Sequence, residues 1–253
     1  GMGIVIMVTK GTFTVTRAEL TKLLAIGFIV ALHWIAFFGA ARVSNVSVSL
    51  VGFATNSLWA AWLEPWFNRT KIKKFEVALG MLVITGLIVI FSFDFQYKLG
   101  LAMGVAAGFT SALFSVFNAK MVRRIPAFNI TFYEMIGAFM SIGLFLIGYA
   151  VFNIDGAQLQ LIPSTTDWVY IALLAGVCSV YAYSVAVELM KKISVFMIQL
   201  TLNLEPVYGI LMAVVIFGET EKMGTNFYLG TFIILGAVAA YPSLRNRYDR
   251  KVS

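Results

Sequence analysis

A chain of 253 residues that is 60% hydrophobic and 12% charged, with a mean hydropathy of +0.88, is not a soluble domain, where charged residues make up about a quarter. The net charge of +7 would point to nucleic acid in a soluble protein. Here the basic residues fall in short segments between apolar runs, where they act as topogenic charge and imply no nucleic-acid partner. With one cysteine, Cys178, and one histidine, His33, no intrachain disulfide and no Cys- or His-rich metal site is expected, and nothing implies a cofactor.

In chain order, the opening GMGIVIMV lacks the basic n-region and small-residue cleavage site of a signal peptide. Its apolar piece Met2–Val8 is too short to span a bilayer and resembles the end of a helix that begins further upstream. Full spans are predicted at Leu20–Ala41, Val46–Trp66, Phe75–Phe93 and Leu99–Val122. Four more follow at Asn129–Phe152, Trp168–Leu189, Ser194–Phe217 and Asn226–Tyr241. At 1.5 Å per residue, about 20 residues cross a hydrocarbon core of about 30 Å. The fold class is therefore an all-α polytopic membrane bundle with eight full spans. Cys178 lies mid-span and reads as a small packing residue. Trp66, Trp168 and Tyr241, near span ends, read as an interfacial aromatic belt.

Sixteen of the nineteen Lys and Arg residues fall on one side: before the first span, after the second, fourth and sixth, and in the tail. Only Arg42, Lys98 and Lys222 fall on the other. The positive-inside rule then places the C-terminus and the loops around 69–74, 120–124 and 191–192 in the cytoplasm of a bacterial inner membrane.

An internal repeat accompanies this topology. Val46-Ser47-Val48 matches Ile193-Ser194-Val195, and Asn56 falls on Asn203 at the same offset of 147 residues. Gly80 and Gly86 then match Gly230 and Gly236 after a gap of three residues. The first three spans thus correspond to the last three, with opposite direction across the membrane. Inverted repeats of this kind build secondary transporters whose binding site lies near the midplane. Residues 1–97 would form the first repeat and 98–253 the second. The second holds five spans and the first only three, so two further helices are expected ahead of the first.

The sequence resembles the EamA-type transporters of the drug/metabolite transporter superfamily. The resemblance rests on NLEPVYGILMAVVIFGE in the seventh span, LGTFIILGAVAAY in the eighth, and ALHWIAFFGAARVSNVSVSL across the first two. It implies two inverted five-helix repeats, ten spans with both termini cytoplasmic, and movement of small metabolites such as amino acids, often outward. The chain departs from that pattern by lacking the first helix and most of the second.

Polar residues form stripes at helical spacing. Within Ser194–Phe217 these are Gln199 and Asn203, with Glu205 about 200° round the helix and Pro206 beyond it. A carboxylate at mid-membrane costs about 2.5–3.5 kcal/mol, so such groups should face protein or water. Other stripes hold Ser49, Asn56 and Trp59; Ser111, Ser115 and Asn118; Tyr181, Ser184 and Glu188; and His33, Trp34 and Phe37. Amides and hydroxyls beside aromatic faces suit a zwitterionic or polar-aromatic solute. The substrate-binding candidates are therefore His33, Trp34, Phe37, Asn56, Trp59, Asn118, Tyr181, Gln199, Asn203 and Glu205. The competing role for each is interhelical hydrogen bonding, favoured for Ser49, Ser111 and Ser115. Glu64 and Glu188, near span ends, are expected to be structural, and Glu134 weighs towards the same role.

The expected function is secondary transport of a small polar, amino-acid-like metabolite, exported by alternating access. The alternatives are a non-transporting accessory or scaffold protein and a membrane-embedded enzyme. An enzyme would need a concentrated reactive set, and one histidine with scattered acids does not supply it. The partners expected are the solute and the bilayer, and a homodimer is compatible with the sequence.

Overall fold

Backbone groups in hydrocarbon must be satisfied within their own segment, which leaves long apolar runs one solution, the helix. The computed structural model describes residues 13–44, 46–91, 97–152, 162–205, 207–208 and 225–252. Every regular element among them is helical. In order they are α1 (Arg17–Val43), α2 (Val46–Phe53), α3 (Asn56–Asn68), α4 (Lys74–Phe91), α5 (Lys98–Met121) and α6 (Ala127–Val151). Next come α7 (Thr165–Leu173), a π-helical stretch (Leu174–Ala182), α8 (Tyr183–Leu189), α9 (Val195–Leu202) and α10 (Thr225–Val252). Five helices among the described residues are long and apolar enough to cross a membrane: α1, α5, α6, Thr165–Leu189 and Tyr228–Arg250.

Two helix starts are written in the sequence as capping boxes. Thr16 Oγ1 accepts from Glu19 N at 3.2 Å while Glu19 Oε2 accepts from Thr16 N at 2.9 Å. Ser164 and Asp167 repeat the arrangement at α7. Each box satisfies two donors that a helix N-terminus would otherwise leave open.

The structure departs from the predicted spans in four places. The second span breaks between α2 and α3, where Thr55 turns back onto Gly52 O through both its N–H (3.2 Å) and its Oγ1 (2.7 Å). The sixth span carries the π-helical stretch, with Ser179 Oγ donating to Leu174 O five residues back at 3.3 Å. The seventh leaves regular helix at Asn203, where Leu204 N bonds Thr201 O at 3.0 Å. The sequence anticipates this, since a proline at 206 cannot donate to the Leu202 carbonyl as a continued helix would require. That proline and the Gly-Glu motif that follows lie outside the described residues. The eighth span does not end at Tyr241: α10 runs through Pro242 into the basic tail. There Arg245 Nε pairs with Asp249 Oδ2 at 2.8 Å.

Three local roles differ from expectation as well. Tyr241 is 6% exposed and bonds Ser194 Oγ at 3.0 Å, so it belongs to the core rather than to an interfacial belt. The helix that was expected to stop there continues and keeps it covered. Trp66 and Trp168 are exposed, as a belt requires. Cys178 is exposed rather than packed, because no residue of α7 or the π-helical stretch is buried.

The chain divides into two packing units, neither of which is a continuous stretch. The first comprises Gly1–Ala31 and Phe117–Lys192. In it α1 lies directly on α6: a Cβ on Gly27 would run into the Glu134 carbonyl, and one on Gly137 would lie 2.6 Å from Leu24 O. Phe13 covers this contact edge-on to Phe132, with centroids 5.3 Å apart, and its carbonyl accepts from Tyr133 OH at 2.6 Å. The second unit comprises Leu32–Val116 and Ile193–Ser253. Its core is built from Val83 and Leu87 of α4, Ile234 of α10, and Phe196 and Leu200 of α9, all fully buried. In it α2 touches α5 backbone to backbone, since a Cβ on Gly52 would meet Gly104 Cα at 2.7 Å. Glu64 Oε2 accepts from Phe196 N at 3.1 Å, capping the first turn of α9 from another helix.

Candidate functional site

The break before α3 and the end of α9 bring two amides into one region of the second unit. Asn203 Nδ2 donates to Ser57 Oγ at 3.1 Å, next to Asn56. Both asparagines are buried, at 1% and 0% exposure. Asn56 Oδ1 and Nδ2, Asn203 Oδ1 and the Trp59 indole nitrogen have no hydrogen-bond partner among the described residues. An unpaired buried polar group costs about 1–3 kcal/mol, so this is an unusual concentration of unused capacity. Asn56 offers two N–H donors and one carbonyl acceptor, Asn203 a further acceptor and Trp59 a donor. Together they can hold a group that both donates and accepts, such as an amide or a zwitterion. Trp59 itself stands edge-on to Phe109, with centroids 5.2 Å apart.

Gln199, one turn before Asn203, is engaged differently. Its Nε2 donates to Ser111 O (3.2 Å), Ser111 Oγ (3.3 Å) and Ser115 Oγ (2.9 Å), and its Oε1 accepts from Ser111 Oγ at 3.4 Å. Its bonding capacity is used within the protein to tie α9 to α5. Ser49 Oγ likewise donates to Phe37 O at 2.9 Å.

His33 sits among Phe37, Phe53 and Phe114, with centroids 6.1, 5.6 and 5.6 Å away. Its Nδ1 is 2.9 Å from Ala107 O. A carbonyl only accepts, so Nδ1 carries a proton. Trp34 and Phe37 are half-buried.

The other candidates lie elsewhere. Glu205 is exposed, on the side of Thr201 and Tyr208, and does not join Asn203. Tyr181 is 65% exposed, whereas Ser184 and Val187 are buried. The π-helical stretch explains the split. Its i→i+5 bonds add a residue to the turn, so Tyr181 no longer shares a face with Ser184, and Tyr183 turns inward instead.

Asn118, on the last turn of α5, belongs to a second cluster inside the first unit. Its Nδ2 donates to Glu134 Oε2 (3.2 Å) and to Tyr183 OH (3.0 Å). Tyr183 OH donates to the same carboxylate oxygen at 2.8 Å. Sequence reasoning selected Asn118 but set Glu134 towards a structural role and passed over Tyr183. The signal for Glu134 was its position two turns inside an apolar helix; Tyr183 had none, because the π-helical stretch hides its register. Near this cluster is a cavity of about 420 Å³ lined by the turn 122–128 together with Ser184, Val185, Glu188 and Lys191. Among the described residues no group of three or more His, Cys, Asp or Glu is placed to hold a metal ion.

A family model described as "EamA-like transporter family" matches residues 98–241, more than half of the chain. A solved crystal structure of a protein is similar with a TM-score of 0.74 at 16% identity, covering 94% of this chain and 81% of that one. At that identity the likeness speaks for the fold alone. No curated protein matches the chain.

Proposed function

The chain belongs to the EamA-like transporter family, and from that premise we propose that it exports a small polar, amino-acid-like solute across the bacterial inner membrane by alternating access. The orientation we propose has the C-terminus in the cytoplasm, on the sixteen-to-three division of Lys and Arg. One observation carries the solute class: the repeat-matched Asn56 and Asn203 are buried together with unused donors and acceptors. A carboxylate accepts from the Asn56 amide and the Trp59 indole, and an ammonium donates to the Asn56 and Asn203 carbonyls. The aromatic ring of Trp59 adds a face for the cation. In this reading His33, Trp34 and Phe37 line the same unit, and Gln199 positions α9 rather than touching the solute.

The test is counterflow of labelled amino acids in proteoliposomes containing the purified protein. Asn56→Ala or Asn203→Ala should raise KM by about 2- to 10-fold, the worth of one neutral hydrogen bond, with folded protein unchanged. Wild-type exchange by both variants would remove the asparagines from the site. Loss of folded protein in step with loss of exchange would assign them to helix packing.

A further inference from the structure

The Glu134 cluster is distinct from the asparagine site and has its own chemistry. Glu134 is fully buried at 0% exposure, yet no cation pairs with it among the described residues. One of its oxygens, Oε2, takes both available donors, from Tyr183 OH and Asn118 Nδ2. The other, Oε1, has no partner among the described residues, and neither does Asn118 Oδ1. From the elements packed against it, the groups facing Glu134 are Asn118 of α5, Tyr183 of α8 and, from α1, the backbone at Gly27. Tyr183 is the one titratable side chain among them.

This donor set selects the ligand. A metal ion needs a shell of oxygen lone pairs, whereas Tyr183 and Asn118 present hydrogens to the carboxylate. A proton needs no such shell.

The helices that carry Glu134 and Tyr183 also line a cavity. Ser184 lines the 420 Å³ cavity and donates to Thr131 Oγ1 at 3.1 Å. Thr131 lies one turn before Glu134 on α6, and Ser184 follows Tyr183 in the chain. The Thr131 hydroxyl in turn donates to Ala127 O at 3.0 Å. The cavity's charged lining is Arg123, Arg124 and Lys191 with Glu188, of which Lys191 and Glu188 pair at 2.7 Å.

We propose that Glu134 is a proton-binding site and that its occupancy drives the carrier. A proton from water forms an O–H bond at Oε1 and neutralises the carboxylate. On release that bond breaks and the proton returns to water, with no change of oxidation state. Its use as a driving force rests on the transporter reading; the protonation itself does not.

Two measurements separate these. In pH-difference infrared spectra of the purified protein, a carboxylic-acid carbonyl band should appear on acidification and vanish on return to alkaline pH, and Glu134→Gln should abolish it. Absence of such a band, or its survival in E134Q, overturns the site. If E134Q does not fold, Tyr183→Phe keeps the carboxyl group and should shift the midpoint of the band; an unchanged midpoint overturns the site as well. In proteoliposomes, a pH gradient should drive uptake of a labelled amino-acid mixture by the wild type, while E134Q loses the drive and retains counterflow. Gradient-insensitive uptake by the wild type overturns the coupling. A titrating band without any amino-acid counterflow upholds the proton site and sinks the solute class instead.

Discussion

The polar residues inside this bundle divide by whether their hydrogen-bonding capacity is used up. Gln199 touches Ser111 and Ser115 through both ends of its amide, so its side chain is a structural tie. Gln199→Ala should cost about 1–3 kcal/mol by leaving buried hydroxyl and carbonyl partners unpaired. A lowered thermal midpoint in detergent, with KM for the counterflow solute unchanged, is the expected outcome. A raised KM at unchanged midpoint would place Gln199 in the binding site. Asn56 is the opposite case, buried with nothing to bond among the described residues. Residue identity alone did not separate the two. Both are mid-span amides at helical spacing, and what distinguishes them is which serines the neighbouring helix presents.

At the scale of the element, helix contacts rest on close backbone approach, since lipid tails are as apolar as leucine and do not drive helices together. The contacts of α1 with α6 and of α2 with α5 therefore depend on glycine. Gly52→Leu would force Gly104 Cα away from a 2.7 Å encounter with the new Cβ, and Gly27→Leu would strike the Glu134 carbonyl. Each should lower the thermal midpoint strongly, because the opposing atoms are backbone and cannot swing aside. Gly143→Ala, where nothing lies within 4 Å, should instead be neutral or stabilise α6 by about 0.5–1 kcal/mol through helix propensity. Equal effects at Gly52 and Gly143 would contradict the packing described. Helix existence was legible from apolar length, and two helix starts from their capping boxes. The interruptions were less so. Pro206 announces the irregularity that follows Leu202, but the turn at Thr55 and the π-helical stretch depend on what packs beside them.

For the whole molecule, the division of charge makes a topological prediction. In a Cys178→Ala background, Gln160→Cys should react with impermeant thiol reagent added outside intact cells. Arg124→Cys and Arg250→Cys should be protected until the membrane is opened. Labelling of position 250 from outside would reverse the proposed orientation. Membrane residence and the all-α class were determined by the sequence itself. Composition and run length are summed properties, and a bilayer admits so few backbone solutions that summed properties suffice. Family membership, too, was visible in local strings such as NLEPVYGILMAVVIFGE. Only the tertiary structure decided that Tyr183 rather than Tyr181 turns inward, that Tyr241 is core, and that Asn118 serves a buried carboxylate. Those outcomes depend on helix register and on partners tens of residues away in the chain, such as Glu134 for Asn118 and Glu64 for the start of α9. A pairing of that kind has no local signature, because each partner alone is an ordinary polar residue on an apolar helix.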